Sequence, residues 1–145
     1  VVFTYDTAKT LTSNAFTRSG FTFAGWATSS SGAKAYDNGA SVKNLTATDN
    51  GTVTLYAVWY LAVPGKSDRT YNGASQELVS VSGAQGDVYY SIGTELTKSN
   101  YTTAGAKNTI PTGANAGEYT VYYYTPGNGN YNAKNGNVNV IYVNR

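Results

Sequence analysis

The sequence predicts an all-β or β-dominated fold, and three observations carry that prediction. Apolar residues alternate with polar ones at period two in several short stretches, and no stretch keeps a helical period over three turns. Charged residues make up only 12% of the 145 positions, about half the usual share, while Gly and Tyr are abundant at 16 and 14 copies. Together with many Thr, Ser and Asn, that mixture favours strands and turns over helices. Asp49-Asn50-Gly51 and Gly127-Asn128-Gly129-Asn130 supply turn chemistry, because Asn and Gly accept positive φ at little cost.

The clearest boundary falls in Tyr60-Leu61-Ala62-Val63-Pro64-Gly65, where an alternating strand ends and a Pro-Gly pair interrupts the backbone. It divides the chain into a first domain, 1–62, and a second, 63–145. In the first, Gly20-Phe21-Thr22-Phe23-Ala24-Gly25-Trp26 and Thr52-Val53-Thr54-Leu55-Tyr56-Ala57-Val58-Trp59 both alternate as strands. Val53, Leu55, Ala57 and Trp59 then share one buried face, with Thr52, Thr54 and Tyr56 on the other. Trp26 and Trp59 are expected to fill this small core rather than to serve as sugar platforms.

The second domain reads as short strands separated by turns, the pattern of a sandwich: Arg69–Tyr71, Gln76–Ser82, Asp87–Ile92, Glu118–Thr125 and Asn137–Val143. Ala116-Gly117-Glu118-Tyr119 has the form of a tyrosine corner, in which a Tyr near a strand start ties its hydroxyl to nearby backbone. If Tyr119 faces inward, so do Val121 and Tyr123, and Tyr122 and Tyr124 face outward. In the third strand Val88, Tyr90 and Ile92 are expected inside and Tyr89 outside. In the last, Val138, Val140 and Tyr142 are expected inside and Asn137, Asn139, Ile141 and Val143 outside.

The first domain carries a resemblance. Leu11, Asn14-Ala15-Phe16-Thr17-Arg18-Ser19-Gly20-Phe21-Thr22-Phe23-Ala24-Gly25-Trp26, Tyr36, Gly39, Asn44-Leu45 and Thr54-Leu55-Tyr56-Ala57-Val58-Trp59 stand in the order of a Listeria–Bacteroides, or internalin B-type, repeat. The resemblance implies a small β-grasp-like fold found in tandem in bacterial surface proteins, with Gly20, Phe21, Phe23, Gly25, Trp26, Leu55, Tyr56 and Trp59 as its structural motif. Such repeats usually open with a further strand and an Asn-Gly-Gly turn ahead of the point matched by Val1, so the first domain is expected to lack its N-terminal strand. In the second domain Tyr71-Asn72-Gly73, Val88-Tyr89-Tyr90-Ser91, Asn115 to Tyr123 and Gly129-Asn130-Tyr131 resemble an MBG-type Ig-like repeat of bacterial adhesins, with Gly117 and Tyr119 at its tyrosine corner.

Chemistry is thinly supplied. Cys, His and Met are all absent, which removes the usual nucleophile, the usual general base and the soft metal ligands together. The 8 carboxylates are spaced singly at turns and strand ends, and no two are paired for acid–base work. There is no Asp-x-Asp run for calcium and no phosphate loop. The reading is therefore no enzyme, no metal and no cofactor. A net charge of +2 with scattered lysines makes nucleic acid a poor partner, and the longest apolar run, near Val58 to Val63, is far short of the roughly 20 residues of a membrane span.

With the resemblances, these features imply an extracellular segment at a bacterial cell surface, a structural spacer or adhesin module flanked by neighbouring repeats of its parent protein. The alternative is a module that binds a glycan or a host or bacterial surface protein through exposed tyrosines. If the strand parities hold, Tyr89, Tyr122, Tyr124 and Ile141 line one outward face, a surface suited to stacking on sugar or contacting protein. A contiguous exposed tyrosine patch would favour binding, and isolated tyrosines on polar faces the spacer.

Overall fold

The computed structural model describes residues 1–62, 64–80, 86–129 and 131–143. Positions 63, 81, 82 and 130 of the motifs above lie outside the described residues, as do the side chains of Tyr142 and Val143. The chain is β-dominated. It forms two compact units, one of Val1–Arg18 and Phe23–Trp59, the other of Ser19–Thr22 and Tyr60–Arg145.

In the first unit β1 (Lys9–Thr10) pairs antiparallel with β3 (Ser41–Val42), and the ladder continues as the Leu11 amide donates to the Ala40 carbonyl at 2.8 Å. β2 (Phe21–Ala27) and β4 (Tyr56–Leu61) form a second two-stranded sheet, of which Phe23–Ala27 and Tyr56–Trp59 belong to this unit. Leu11, Ala27, Val42 and Val58 are the unit's buried apolar residues. Around them Phe23 meets Trp26 edge-on at 5.1 Å and Trp59 edge-on at 5.5 Å, the geometry ring quadrupoles prefer.

Gly25 is required by this arrangement. Its φ is +143°, and a Cβ there would run into the Tyr36 carbonyl, which accepts from the Trp26 amide at 2.8 Å. Only a residue without a side chain lets the two backbones approach so closely. The buried face expected for Val53, Leu55, Ala57 and Trp59 is corrected along its length: within 52–59 the buried residue is Val58, of the opposite parity, while Leu55, Ala57 and Trp59 are half-buried. β4 begins only at Tyr56, and Val53 is exposed. No strand among the described residues pairs with 52–55, so alternation there has no covered face to point toward.

The second unit is built on a five-stranded sheet of order β10-β9-β12-β13-β6, in which β6 is Arg69–Thr70, β9 Tyr89–Ile92, β10 Ala106–Lys107, β12 Gly117–Thr125 and β13 Lys134–Val143. β12 and β13 carry the sheet, paired antiparallel from Gly117↔Tyr142 to Thr125↔Lys134. β6 lies parallel to β13 at the far edge, with Tyr142 opposite Arg69. Two short antiparallel pairs complete the unit: β5 (Gly65–Lys66) with β8 (Val79–Ser80), and β7 (Gln76–Glu77) with β11 (Thr112–Gly113). α1 (Tyr101–Ala104) is a single turn.

Val88, Tyr90, Val121, Tyr123 and Val140 are buried, as are Leu78 and Val79. Period-two parity therefore holds on the inner face of β9, β12 and β13, with one correction. Ile92, expected inside, is exposed, because it ends β9 and the chain turns away at Gly93, whose φ is +75°. Asn137, Asn139 and Ile141 are exposed while Val140 is fully buried. The Tyr119 hydroxyl donates to the Asn115 carbonyl at 2.9 Å, the bond a tyrosine corner makes.

Candidate functional site

The outer face of the five-stranded sheet is where the sequence places its tyrosine stripe. Register sets Tyr124 directly opposite Tyr89, and Tyr122 opposite Ser91 on one side and Asn137 on the other. Ile141 stands across from Glu118, four β13 positions beyond the residue that faces Tyr122, so it does not extend the aromatic row. All four residues occupy outward positions, yet they do not form one open surface. Tyr122 and Tyr89 are half-buried, Ile141 is exposed, and Tyr124 is only 6% exposed.

Tyr124 is thus corrected from an exposed residue to a buried one, and the cause is Tyr101. Its ring stacks on Tyr124 at 4.5 Å and 19° and meets Tyr89 edge-on at 4.7 Å and 81°. Burial raises the Tyr124 hydroxyl pKa above its ordinary value, with a smaller contribution from Tyr101. On the opposite face burial alone pushes Tyr90 to about 12 and raises Tyr123.

Asn100 holds this cover in place. Its side-chain oxygen accepts the Thr97 amide at 2.7 Å, and its Nδ2 donates to the Glu95 carbonyl at 3.0 Å. Leu96, almost fully buried, pins the segment further, and its carbonyl accepts from Asn135 Nδ2 of β13 at 3.3 Å. Gly105 closes the turn where any Cβ would collide with the Tyr101 carbonyl. Sequence reasoning missed Tyr101 because one helical turn has no readable period. The available signal was local: a Thr-x-x-Asn-Tyr run, with Asn free to bond backbone on both sides.

The first unit's aromatics are likewise engaged with one another. Phe23, Trp26 and Trp59 form one ring cluster, and Trp26 Nε1 is buried with no hydrogen-bond partner among the described residues. Leu55 is half-buried and Tyr56 exposed. An open groove of about 750 Å³ runs between residues 1–5 and 44–53 of this unit.

Two carboxylates of the second unit are held as charges. Asp68 pairs with Lys66 at 2.8 Å and accepts the Ile141 amide at 2.9 Å, and these bonds lower its pKa. Asp87 pairs with Lys107 at 2.9 Å, accepts from Asn108 Nδ2, and is lowered by both. A general acid at neutral pH needs the opposite shift. Among the described residues no group of three Asp or Glu is placed to hold a metal ion, and no helix is long and apolar enough to cross a membrane.

Residues 2–58 match the family model of the Listeria-Bacteroides repeat domain, so the likeness of the first unit, read from its Gly-Trp and Leu-Tyr-Ala-Val-Trp signatures, is supported. That repeat occurs in bacterial surface proteins. Comparison with curated proteins and with solved structures returns no match.

Proposed function

We propose that the chain is a non-catalytic structural spacer of a bacterial surface protein, its second unit an Ig-like sandwich of MBG type. One observation carries the spacer reading. The one tyrosine pair that the register sets side by side on the outer face among the described residues, Tyr89 and Tyr124, is covered by Tyr101 from the same chain. Tyr122 is left between Ser91 and Asn137 on a polar surface, and an isolated half-buried ring of this kind needs no ligand to explain it.

The Ig-like reading rests on the β9-β12-β13 order, the parallel β6 beside β13, and the Tyr119–Asn115 bond. This topology suits a load-bearing element. β6 and β13 are the first and last strands of their sheet and run side by side in parallel. Tension drawing them apart along the strand direction therefore loads their hydrogen bonds together instead of one after another. The bond from the Ile141 amide to Asp68 adds to that ladder.

The reading is tested by presenting the intact chain to arrays of glycans and of bacterial and host surface proteins. No saturable binding is expected. Saturable binding that Tyr122→Ser abolishes without lowering stability overturns the spacer in favour of a binding module.

A further inference from the structure

Five Asn-Gly pairs occur in the chain, at Asn38, Asn50, Asn72, Asn128 and Asn135, and the structure treats them very differently. In such a pair the glycine nitrogen, once it has lost its proton, can attack the asparagine Cγ. A C–N bond forms, the Cγ–Nδ2 bond breaks, and Nδ2 leaves as ammonia with the proton returned from solvent. Water then opens the resulting succinimide at either carbonyl, leaving aspartate or isoaspartate. The reaction needs a free glycine N–H, a carboxamide lying over it, and a donor to the oxygen that gains negative charge in the tetrahedral intermediate.

We propose that Asn72-Gly73 is a self-modification site, at which the folded chain promotes its own conversion to aspartate and isoaspartate. Asn72 Oδ1 accepts the Ala74 amide at 2.9 Å. That donor is the backbone N–H next after the attacking one, so the bond draws the carboxamide back over Gly73 while polarising its carbonyl. The Gly73 N–H has no hydrogen-bond partner among the described residues. Gly73 has φ +78°, and nothing lies within 4 Å of where its Cβ would be. Asn72 and Gly73 are both exposed, so water reaches the ring that forms.

The other four pairs each lack one requirement. Asn38 Oδ1 is engaged by the Asn14 amide, 24 residues away, which turns the carboxamide from its own backbone. The Gly51 N–H beside Asn50 is spent on the Thr48 carbonyl at 3.0 Å. Asn128 is bound on both its backbone and its side chain to the buried Tyr131. Asn135 lies within the β12–β13 ladder opposite Tyr124.

Peptide-mapping mass spectrometry on the full chain tests the site, because trypsin places Asn72 alone among asparagines in the fragment Thr70–Lys98 and Asn38 alone in Ala35–Lys43. The chain is incubated folded, and again unfolded in guanidinium chloride, at the same mildly alkaline pH. In the folded chain Asn72 is expected to convert first, and faster than in the unfolded chain by about 2- to 10-fold, the rate equivalent of one hydrogen bond to the developing oxyanion. The other four pairs are expected to slow on folding. Conversion of Asn72 no faster than that of Asn38 or Asn50 in the folded chain, or slower than in its own unfolded state, overturns the proposal.

Discussion

The two units of this chain spend their apolar residues in contrasting ways. Of the large apolar side chains that remain exposed among the described residues, six (Val1, Val2, Tyr5, Phe16, Val53 and Tyr56) belong to the first unit and three (Tyr71, Ile92 and Ile141) to the larger second. Fully buried Leu61, Leu78, Leu96, Val79, Val121 and Val140 all belong to the second. The first unit carries the family signature, yet its short strands cover little surface. The second has no family match, yet a long β12–β13 ladder gives its side chains two faces to fill. A recognisable motif and a well-built core are separate properties, and burial tracks the second of them.

Leucine truncation breaks or sharpens this contrast most strongly. Leu78 is fully buried in the second unit and Leu11 is 7% exposed in the first. Leu78→Ala is expected to cost about 4 kcal/mol and Leu11→Ala about 2, within the range for buried leucines. Denaturant unfolding of the two variants measures both, and equal losses would remove the contrast.

Removing the aromatic cover comes next. Tyr101→Ala takes away two ring contacts and is expected to cost about 2 kcal/mol, since each pair adds about 0.5–1.5 beyond its buried area. It should also raise the solvent accessibility of Tyr124, readable by tyrosine fluorescence quenching. Tyr119→Phe deletes only the hydroxyl bonded to Asn115, and thermal unfolding should register a loss of about 1 kcal/mol.

Acid titration gives the smallest effect. Asp68 has its pKa lowered by Lys66 and by the Ile141 amide. Its contribution is therefore present above the ordinary carboxylate value of 3.8 and is lost as pH falls through the lower folded value. Asp68→Asn should flatten that part of the stability profile, lowering stability slightly at neutral pH and leaving it nearly unchanged in acid below the folded value. At the alkaline end the sign reverses. Tyr90, raised from 10.0 to about 12, keeps its stabilising burial below pH 10 and loses it as pH climbs toward 12.

Much of this was legible in the residues themselves. Val121, Tyr123 and Val140 lie inside as alternation requires, and Tyr119 makes the corner bond its setting implies. Alternation assigns a face, however, and not what covers it. Tyr124 holds its outward position in the register but is buried by a ring 23 positions away in sequence, on a turn too short to carry a period. Val53 failed for the reciprocal reason, because its alternating stretch finds no partner strand among the described residues. Both misses concern long-range contacts, which a local pattern does not encode.

The central claim is that the tyrosine stripe is packed structure and not a binding face. A paired unfolding measurement on Tyr124→Ser and Tyr122→Ser tests it most directly. The covered ring should cost about 3 kcal/mol or more when removed, and the half-buried Tyr122 about 1. Small and equal losses from the two substitutions would place Tyr124 at the surface and contradict the account.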